Sequence, residues 1–492
     1  MTLNKQVIIY LIVIFAAIYQ DFPLHNLVGE IGRSPIVLLV PFMLVYIISN
    51  KTITFSNYAV HYLKYLLYSF LISGVFLVVS YIHYETLVVL DENIIIKTLK
   101  MSVYPMVIFI LYQFFYLYLS NNFNKIKNLF SAVYLTQLFI TLFLTVEIYF
   151  LKTNEIFLPF LHTLAKKYWR VRLLTPEESW TGTILIMFIF LPIFLVHYLK
   201  IKGFWKWMVY LQSIYLFLAY SLVSESKGFL LLVLLSILPL TLSYLKKNKY
   251  LQNAFVVAIA LLLVVGGYLG FVLREIIAEQ ITTSGTFGTR FSSIITSLTV
   301  FVLCPLGVGW SGFVTYYPQV LEYILESSIV DQFNLQEIRS YLSTTKALST
   351  KSAFFDELMF GGIFFIIFFY QFYIKRYLTL SKIKDLDFYF LRIPLAFAVM
   401  AGIVYITYHV KYDVWIFLAI ADVFEKKYNL KVVNSHYILV DEKFKRYNTM
   451  LELELSQPKM LAFQEKYGHK TSDMHVAWGI NENTIRVYAE VG

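Results

Sequence analysis

Residues 181–207, TGTILIMFIFLPIFLVHYLKIKGFWKW, decide the fold class. From Thr181 to Leu199 there is no Asp, Glu, Lys or Arg, and Lys200, Lys202 and Lys206 follow at once. An uncharged run of that length suits a helix crossing the hydrocarbon layer, which takes about 20 residues. Basic residues closing such a run mark its cytoplasmic end. The pattern recurs along the chain, with further apolar segments at 6–20, 35–50, 61–82, 98–120, 129–151, 207–223, 228–244, 251–272, 353–374 and 389–409. Two more stretches are ambiguous. Residues 293–310 end in Pro305, Gly307 and Gly309 and suit a re-entrant or partly inserted helix. Residues 412–424 are too short to cross alone. The expected architecture is all-α: a polytopic transmembrane helical bundle of 11–12 spans with a large external loop cap at 273–352.

Composition agrees. Hydrophobic residues make up 59% of the 492 and charged residues 15%, against about 25% charged in a soluble domain. Mean hydropathy is +0.66. This excludes a disordered chain, a coiled coil and an ordinary soluble enzyme. The formal charge of +10 needs no nucleic-acid partner, because basic residues gather in cytoplasmic loops. Lys125 and Lys127, Lys246, Lys247 and Lys249, and Lys375, Arg376, Lys382 and Lys384 follow alternate spans. They therefore share a side with Lys200 and Lys202, and the N-terminus is expected there too. The single cysteine, Cys304, excludes an internal disulfide and a cysteine-built metal site. The first apolar run lacks a small-x-small cleavage site and reads as a retained span. From about residue 425 the chain turns polar and mixed in charge, a small appendage to a transmembrane domain over 1–424. Alternation in YILVDEK and TIRVYAEV predicts short strands there.

The external side should be poor in basic residues and is not. It carries Arg33, the cluster Lys166, Lys167, Arg170 and Arg172, then Lys227, Arg274, Arg290, Arg339, Lys346 and Lys351. One reading is solvated loop charge, with Arg170 and Arg172 pairing Glu177 and Glu178. The other is an anionic site at the membrane boundary, where planar guanidinium groups bind phosphate through paired hydrogen bonds. Lys227 sits between two apolar helices with almost no loop, and either snorkels to the headgroups or points into a polar cavity. Arg290 lies in SGTFGTRFSS, where Gly285 and Gly288 allow a tight turn. Asp356 and Glu357 open the apolar run AFFDELMFGGIFFIIFF. They are costly there unless paired or wet, so they serve a structural ion pair or the deprotonation of a hydroxyl. No dense histidine cluster supports a metal site, and Asp385 and Asp387 read as a solvated loop pair.

Read together, SESKGFLLLVLL at 224–235, GTRF at 288–291, PLGVG at 305–309 and DELMFGG at 356–362 resemble the O-antigen ligase and polymerase superfamily. In that superfamily a Ser-Arg-Gly segment begins a membrane helix and a Gly-Arg segment precedes Pro-x-Gly-x-Gly. A His-Asn segment then precedes an acidic residue and a glycine at a span entrance. The resemblance covers about residues 205–375. Lys227 stands at the first arginine and Arg290 at the second, with Pro305, Gly307 and Gly309 in place. Glu357 matches the acidic residue and Gly361 the glycine. Lysine replaces arginine at 227, and the histidine is missing, since the chain reads STKSAFFDE.

The resemblance implies a GT-C-like, metal-independent polysaccharide polymerase that needs no cofactor. Its partners would be polyprenyl-diphosphate-linked glycan donor and acceptor, membrane lipids and a chain-length regulator. It would sit in the bacterial inner membrane with its site facing the periplasm or exterior. Arg290, Lys227 and Glu357 are the expected catalytic residues, with Arg170, Arg172, Arg33, Arg339, Gly307 and Gly309 binding substrate. A ligase with a different acceptor, a lipid-linked oligosaccharide flippase and a passive assembly partner are the alternatives. A length ladder from lipid-linked repeat units distinguishes the polymerase.

Overall fold

The computed structural model describes residues 4–50, 52–89, 92–153, 155, 157–163, 170–224, 226–245, 279, 282–283, 285–343, 348–383, 386–406, 411–444, 451–454, 474–478 and 484–489. The chain divides into two units, Met1–Asp422 and Val423–Gly492. The first is a helical bundle: α1 (Lys5–Ile18), α2 (Ile36–Ser49), α3 (Asn57–Tyr84), α4 (Ile94–Asn121), α5 (Ile126–Thr153), α6 (Glu178–Tyr198), α7 (Phe204–Val223) and α8 (Lys227–Leu245). Then come α9 (Gly285–Leu303), α10 (Gly309–Leu325), α11 (Ala353–Phe369), α12 (Tyr389–Val404) and α13 (Tyr412–Phe444). Among the described residues six helices are long and apolar enough to cross a membrane, or seven if the bent pair His25–Arg33 and Ile36–Ser49 counts as one span. The protein is thus an all-α, multi-pass membrane protein. The expected span at 251–272 lies outside the described residues.

Several helices outrun their apolar segments because polar residues cap them. Ser56 Oγ accepts from Ala59 N at 3.0 Å, so α3 begins at Asn57 instead of near 61. Asn93 Oδ1 accepts from Ile95 and Ile96 N at the start of α4. These bonds satisfy amides that a helix start leaves open. The helix expected to end at 374 runs on through a π-helical turn, Tyr370–Ile374, to Lys382. Arg376 is consequently no loop charge. It is buried and forks onto Asp422, at 2.7 Å (Nε–Oδ1) and 3.1 Å (Nη2–Oδ2), between the rings of Tyr58 and Phe372.

Side-chain bonds define two faces. At one, Asn4 donates to Asn128, Gln6 to Asn122, and Asn121 to Asn50, drawing the N-terminus and the loop bearing Lys125 and Lys127 together. At the other, Gln20 N donates to Leu174 O, Tyr19 OH to Leu161 O, and Asn26 to Thr163 O. We call these the inner and outer faces.

The external cap expected over 273–352 is smaller than its sequence span. Its segment 285–325 folds as a helical hairpin that enters the bundle and returns. Asn334 N donates to Thr282 O at 3.0 Å, so the two ends of the hairpin meet at the outer face. Its tip meets the middle of α3, where Trp310 N donates to Ser73 Oγ at 2.8 Å, and Thr315 then pairs with Ser80 further outward. Arg290 therefore lies in the first turns of α9, not in a loop turn. Gly288 serves another purpose: a Cβ there would sit 2.4 Å from Asn334 O, so only glycine lets the returning strap cross.

At the tip the hairpin meets a break in α11. Gly362 adopts φ 53°, ψ −135°, which leaves Met359 O and Ile363 N without helical partners. The tip supplies both: Val308 N donates to Met359 O and Ile363 N to Pro305 O, each at 2.8 Å. Backbone polar groups inside a membrane need such partners.

The second unit contains the strands β3 (Leu451–Glu454), β4 (Met474–Trp478) and β5 (Thr484–Ala489), antiparallel in the order β3-β5-β4. A two-residue pair, Val88–Val89 with Glu92–Asn93 (β1 and β2), precedes α4. TIRVYA is thus a strand as expected. YILVDEK is helical instead, the continuation of α13, because no Gly or Pro stops the helix after Tyr412.

Candidate functional site

The outer-face arginines differ in what already neutralises them. Arg172 is 4% exposed and donates to Asp21 Oδ2 at 3.3 Å. His162 Nδ1 donates to the same oxygen at 2.7 Å. The amides of Arg172 and Leu173 both donate to the buried Glu147 carboxylate at 2.9 Å, and Thr175 and Thr181 donate to Arg172 O. Burial raises the Asp21 carboxyl, but the His162 hydrogen bond and charge and the Arg172 charge outweigh it and bring it below its ordinary value. Arg172 thus pins the strap before α6 to the end of α1. Among the described residues Asp21 is the acid it meets, while the side chain of Glu178, expected beside it from sequence, lies outside the described residues.

Arg33 is bound to Glu30, which His25 also contacts at 3.0 Å, and it lies 5.7 Å from the Trp180 ring centroid. Arg170 is half-buried at the start of the same strap, while Lys166 and Lys167 lie outside the described residues. Arg339 is exposed beside Asp331 and Phe333 at the rim of an open depression. Beneath Trp180, the buried Lys411 ammonium donates to Gln20 Oε1 and Trp180 O, both at 2.9 Å, with Asp413 at 3.7 Å.

Arg290 is different. It is half-buried, and Nη1 donates to Val404 O at 3.0 Å, at the C-terminal end of α12. Among the described residues it forms no ion pair. Glu177, Tyr405, Glu337 and Tyr341 lie within its electrostatic reach. The helix that Lys227 begins comes to the same place: a Cβ on Gly228 would be 3.8 Å from the Tyr405 ring. The side chain of Lys227 lies outside the described residues. The structure therefore gathers Arg290, the start of α8, Tyr405, Tyr341 and Glu337 at the outer face. Tyr341 OH donates to Glu337 Oε1 at 2.9 Å, and Lys351 lies 5.2 Å from the Tyr341 ring centroid.

Glu357 is not part of this group. Ser297 Oγ donates to Phe355 O at 2.8 Å, which sets α9 and α11 in register. Arg290 lies seven residues outward of Ser297, or about 10 Å at 1.5 Å per residue, and Glu357 lies inward of Phe355. There Glu357 accepts from Tyr65 OH at 2.5 Å, beside Trp310 and Phe365. Gly307 and Gly309 also sit at depth, with φ of 86° and 63°. A Cβ on Gly307 would fall 2.5 Å from Phe360 O, and one on Gly309 2.6 Å from Ser73 Cα. Their surroundings are neighbouring backbone, and they permit the tip to touch α11 and α3.

Chemically, a guanidinium with one carbonyl partner keeps N–H groups for an anion. The residues around it that sequence reading missed, Tyr341, Tyr405 and Glu337, carry no motif and reach the site only through folding of separate segments. Among the described residues no three His, Cys, Asp or Glu side chains come together as a metal site.

No family model matches the chain. Over 135 residues, 26% of this chain, it is 29% identical to a Klebsiella pneumoniae protein described as an uncharacterized 49.5 kDa protein in cps region. The match spans 30% of that relative's length.

Proposed function

We propose that this membrane protein takes part in bacterial surface-polysaccharide synthesis. More specifically, it polymerises polyprenyl-diphosphate-linked repeat units into O-antigen or capsule-like chains at the outer face of the inner membrane. The observation that carries the reading is Arg290, a half-buried cation at the outer face without an ion pair among the described residues, beside the helix start of Lys227. The cps-region relative supports the pathway, and the resemblance of the 224–235, 288–291, 305–309 and 356–362 segments supports the reaction.

In this reaction an acceptor sugar hydroxyl attacks the donor anomeric carbon. A carbon–oxygen bond forms, the bond to the diphosphate breaks, and the hydroxyl proton passes to a base. Charge grows on the leaving diphosphate, where Arg290 and Lys227 would lower the barrier through contacts strongest in the transition state. Arg33, Arg170 and Arg339 would serve incoming glycan or headgroup. Arg172 and Glu357 have no role here, the first being taken up by Asp21 and the second lying too deep. Broken helices also occur in transporters, where freed backbone groups face the substrate. Here the two breaks bond to each other, which disfavours a flippase. The test is reconstitution with lipid-linked repeat units. A ladder lost in Arg290→Ala supports the reading, whereas unchanged chain length with wild-type protein refutes it.

A further inference from the structure

Between α9, α10 and α11 lies a cluster of buried hydroxyls that the reading above does not use. Thr289, Ser292 and Ser293 on α9 and Tyr317 on α10 are all 2% exposed or less. Each has a side-chain oxygen without a hydrogen-bond partner among the described residues. An unsatisfied buried hydroxyl is destabilising, so four of them together call for a polar partner. Ser293 lies beside Tyr317, short of a formed hydrogen bond. The same tyrosine lies within electrostatic reach of Asp356 on one side and Tyr341 on the other. Asp356 is buried and accepts from Thr350 N at 2.8 Å and Ser349 Oγ at 3.2 Å. Tyr341 is bonded to Glu337, next to Arg290. Ser293 lies one helical turn outward of Ser297, whose hydroxyl bonds Phe355 O, and Arg290 lies further outward on the same helix. The order from the outer face inward is therefore the Tyr341–Glu337 pair, Tyr317, Asp356, with the α9 hydroxyls alongside.

We propose that Thr289, Ser292, Ser293 and Tyr317 enclose ordered water, and that this water carries protons between the Tyr341–Glu337 pair and the Asp356 carboxylate. Buried water bridging two to four polar groups is a regular component of protein interiors. The inference rests on the polymerase reading for its use and supplies the base that reading needs. Glu337 and Glu177 are exposed, so bulk water competes for any proton they take up. Asp356 is shielded. The acceptor hydroxyl would give its proton through Tyr341 and the water to Asp356, which becomes a carboxylic acid and returns the proton by the same route after the diphosphate departs.

The water is tested without turnover. In full-length protein in nanodiscs, radiolytic hydroxyl labelling should modify Tyr317 despite its burial, because resident water generates the radical in place. Ser292→Ala and Ser293→Ala should each lower the melting temperature by removing a water ligand. An unlabelled Tyr317, or alanine variants that melt higher, would overturn the water site. The proton route is read at acid pH, where the Asp356 carboxyl holds a proton, from the deuteration shift of its infrared C=O band, assigned by its loss in Asp356→Asn, which keeps the oxygen that caps Thr350. Exchange should slow in Tyr317→Phe, and equal exchange overturns the route. In the elongation assay Tyr317→Phe and Asp356→Asn should lose about 10²-fold or more, with the acidic limb of the pH–rate profile absent in Asp356→Asn. Wild-type protein that labels and exchanges as expected yet makes no ladder would sink the polymerase reading and leave the water route standing. Wild-type elongation by both variants would sink Asp356 as the base.

Discussion

Gly362→Ala tests the crossing that organises the bundle. The substitution places a Cβ 2.2 Å from Pro305 O and 2.4 Å from Gly307 N, atoms of backbone that cannot swing aside. Relief requires separating the tip from α11, which removes the Ile363–Pro305 and Val308–Met359 hydrogen bonds. Each of these two buried hydrogen bonds costs about 1–3 kcal/mol to lose. Holding a non-glycine residue at φ 53° adds about 1–2 kcal/mol. The sum is about 3–8 kcal/mol, and even its lower end multiplies the population of the opened tip by about 10². Cys304, the sole cysteine, adjoins the tip and reports opening directly. In detergent, a thiol-reactive fluorophore should modify Gly362→Ala about a hundredfold faster than wild type, with a lower melting temperature on the same readout. Gly74→Ala on α3 is the control, since a Cβ there meets nothing within 4 Å. If the Gly362 and Gly74 variants react within about twofold of each other, a difference below 0.5 kcal/mol, the crossing does not hold the tip and the reasoning fails.

Other outcomes follow from the same contacts. Arg290→Lys keeps the charge but loses the planar fork, so elongation should fall by about 10²–10³ while the protein stays folded. Arg172→Met should act on stability instead: Asp21 keeps its His162 bond but loses the guanidinium, at a cost of about 1–3 kcal/mol, read by thermal unfolding in detergent. Because the Asp21 carboxyl is held below its ordinary value, its contribution is complete at neutral pH, persists down to the unfolded value near 3.9, and is lost as pH falls through the folded one. Asp21→Asn should therefore flatten the acid side of a melting-temperature profile below about pH 4, and an unchanged profile would refute that assignment.

Fold class was legible because lipid-facing helices need long uncharged runs and leave their lysines on one side. The runs at 61–82, 98–120 and 129–151 each mark a helix. Their true ends depend on Ser56 and Asn93, single polar residues whose capping bonds a hydropathy scan does not weigh. The hairpin was half legible. Pro305, Gly307 and Gly309 announced a break, but its pairing with Gly362 joins segments about 55 residues apart and has no local signature. Arg290 stood out by its sequence surroundings. The partners that separate it from Arg172 did not, since Asp21 and Val404 are each more than a hundred residues from the arginine they meet. Charge is read from sequence, but which charges remain available is decided by tertiary contacts.

The same logic settles a topological question that composition left open, whether residues 412–424 cross. Lys411 is held at the outer face by Gln20 and Trp180, near the strap pinned to Asp21. Asp422 meets Arg376, Tyr112 and Ser56, and Ser56 caps the inner end of α3. Eleven residues of helix separate the two anchors, about 16 Å, and both are buried. A segment tied to outer groups at one end and inner groups at the other traverses the bundle, although its apolar run is short, because protein and not lipid surrounds it. Asp422 therefore lies toward the face that carries Lys125, Lys127 and Lys202. A reporter fused after Gly492 should behave as cytoplasmic: a fluorescent protein bright, alkaline phosphatase inactive. In a Cys304→Ser background an impermeant thiol reagent should reach cysteine at Arg339 and miss cysteine at Lys202 in intact cells. An active phosphatase fusion would show that α13 does not cross, and would remove the Lys411 and Asp422 anchors as evidence for depth.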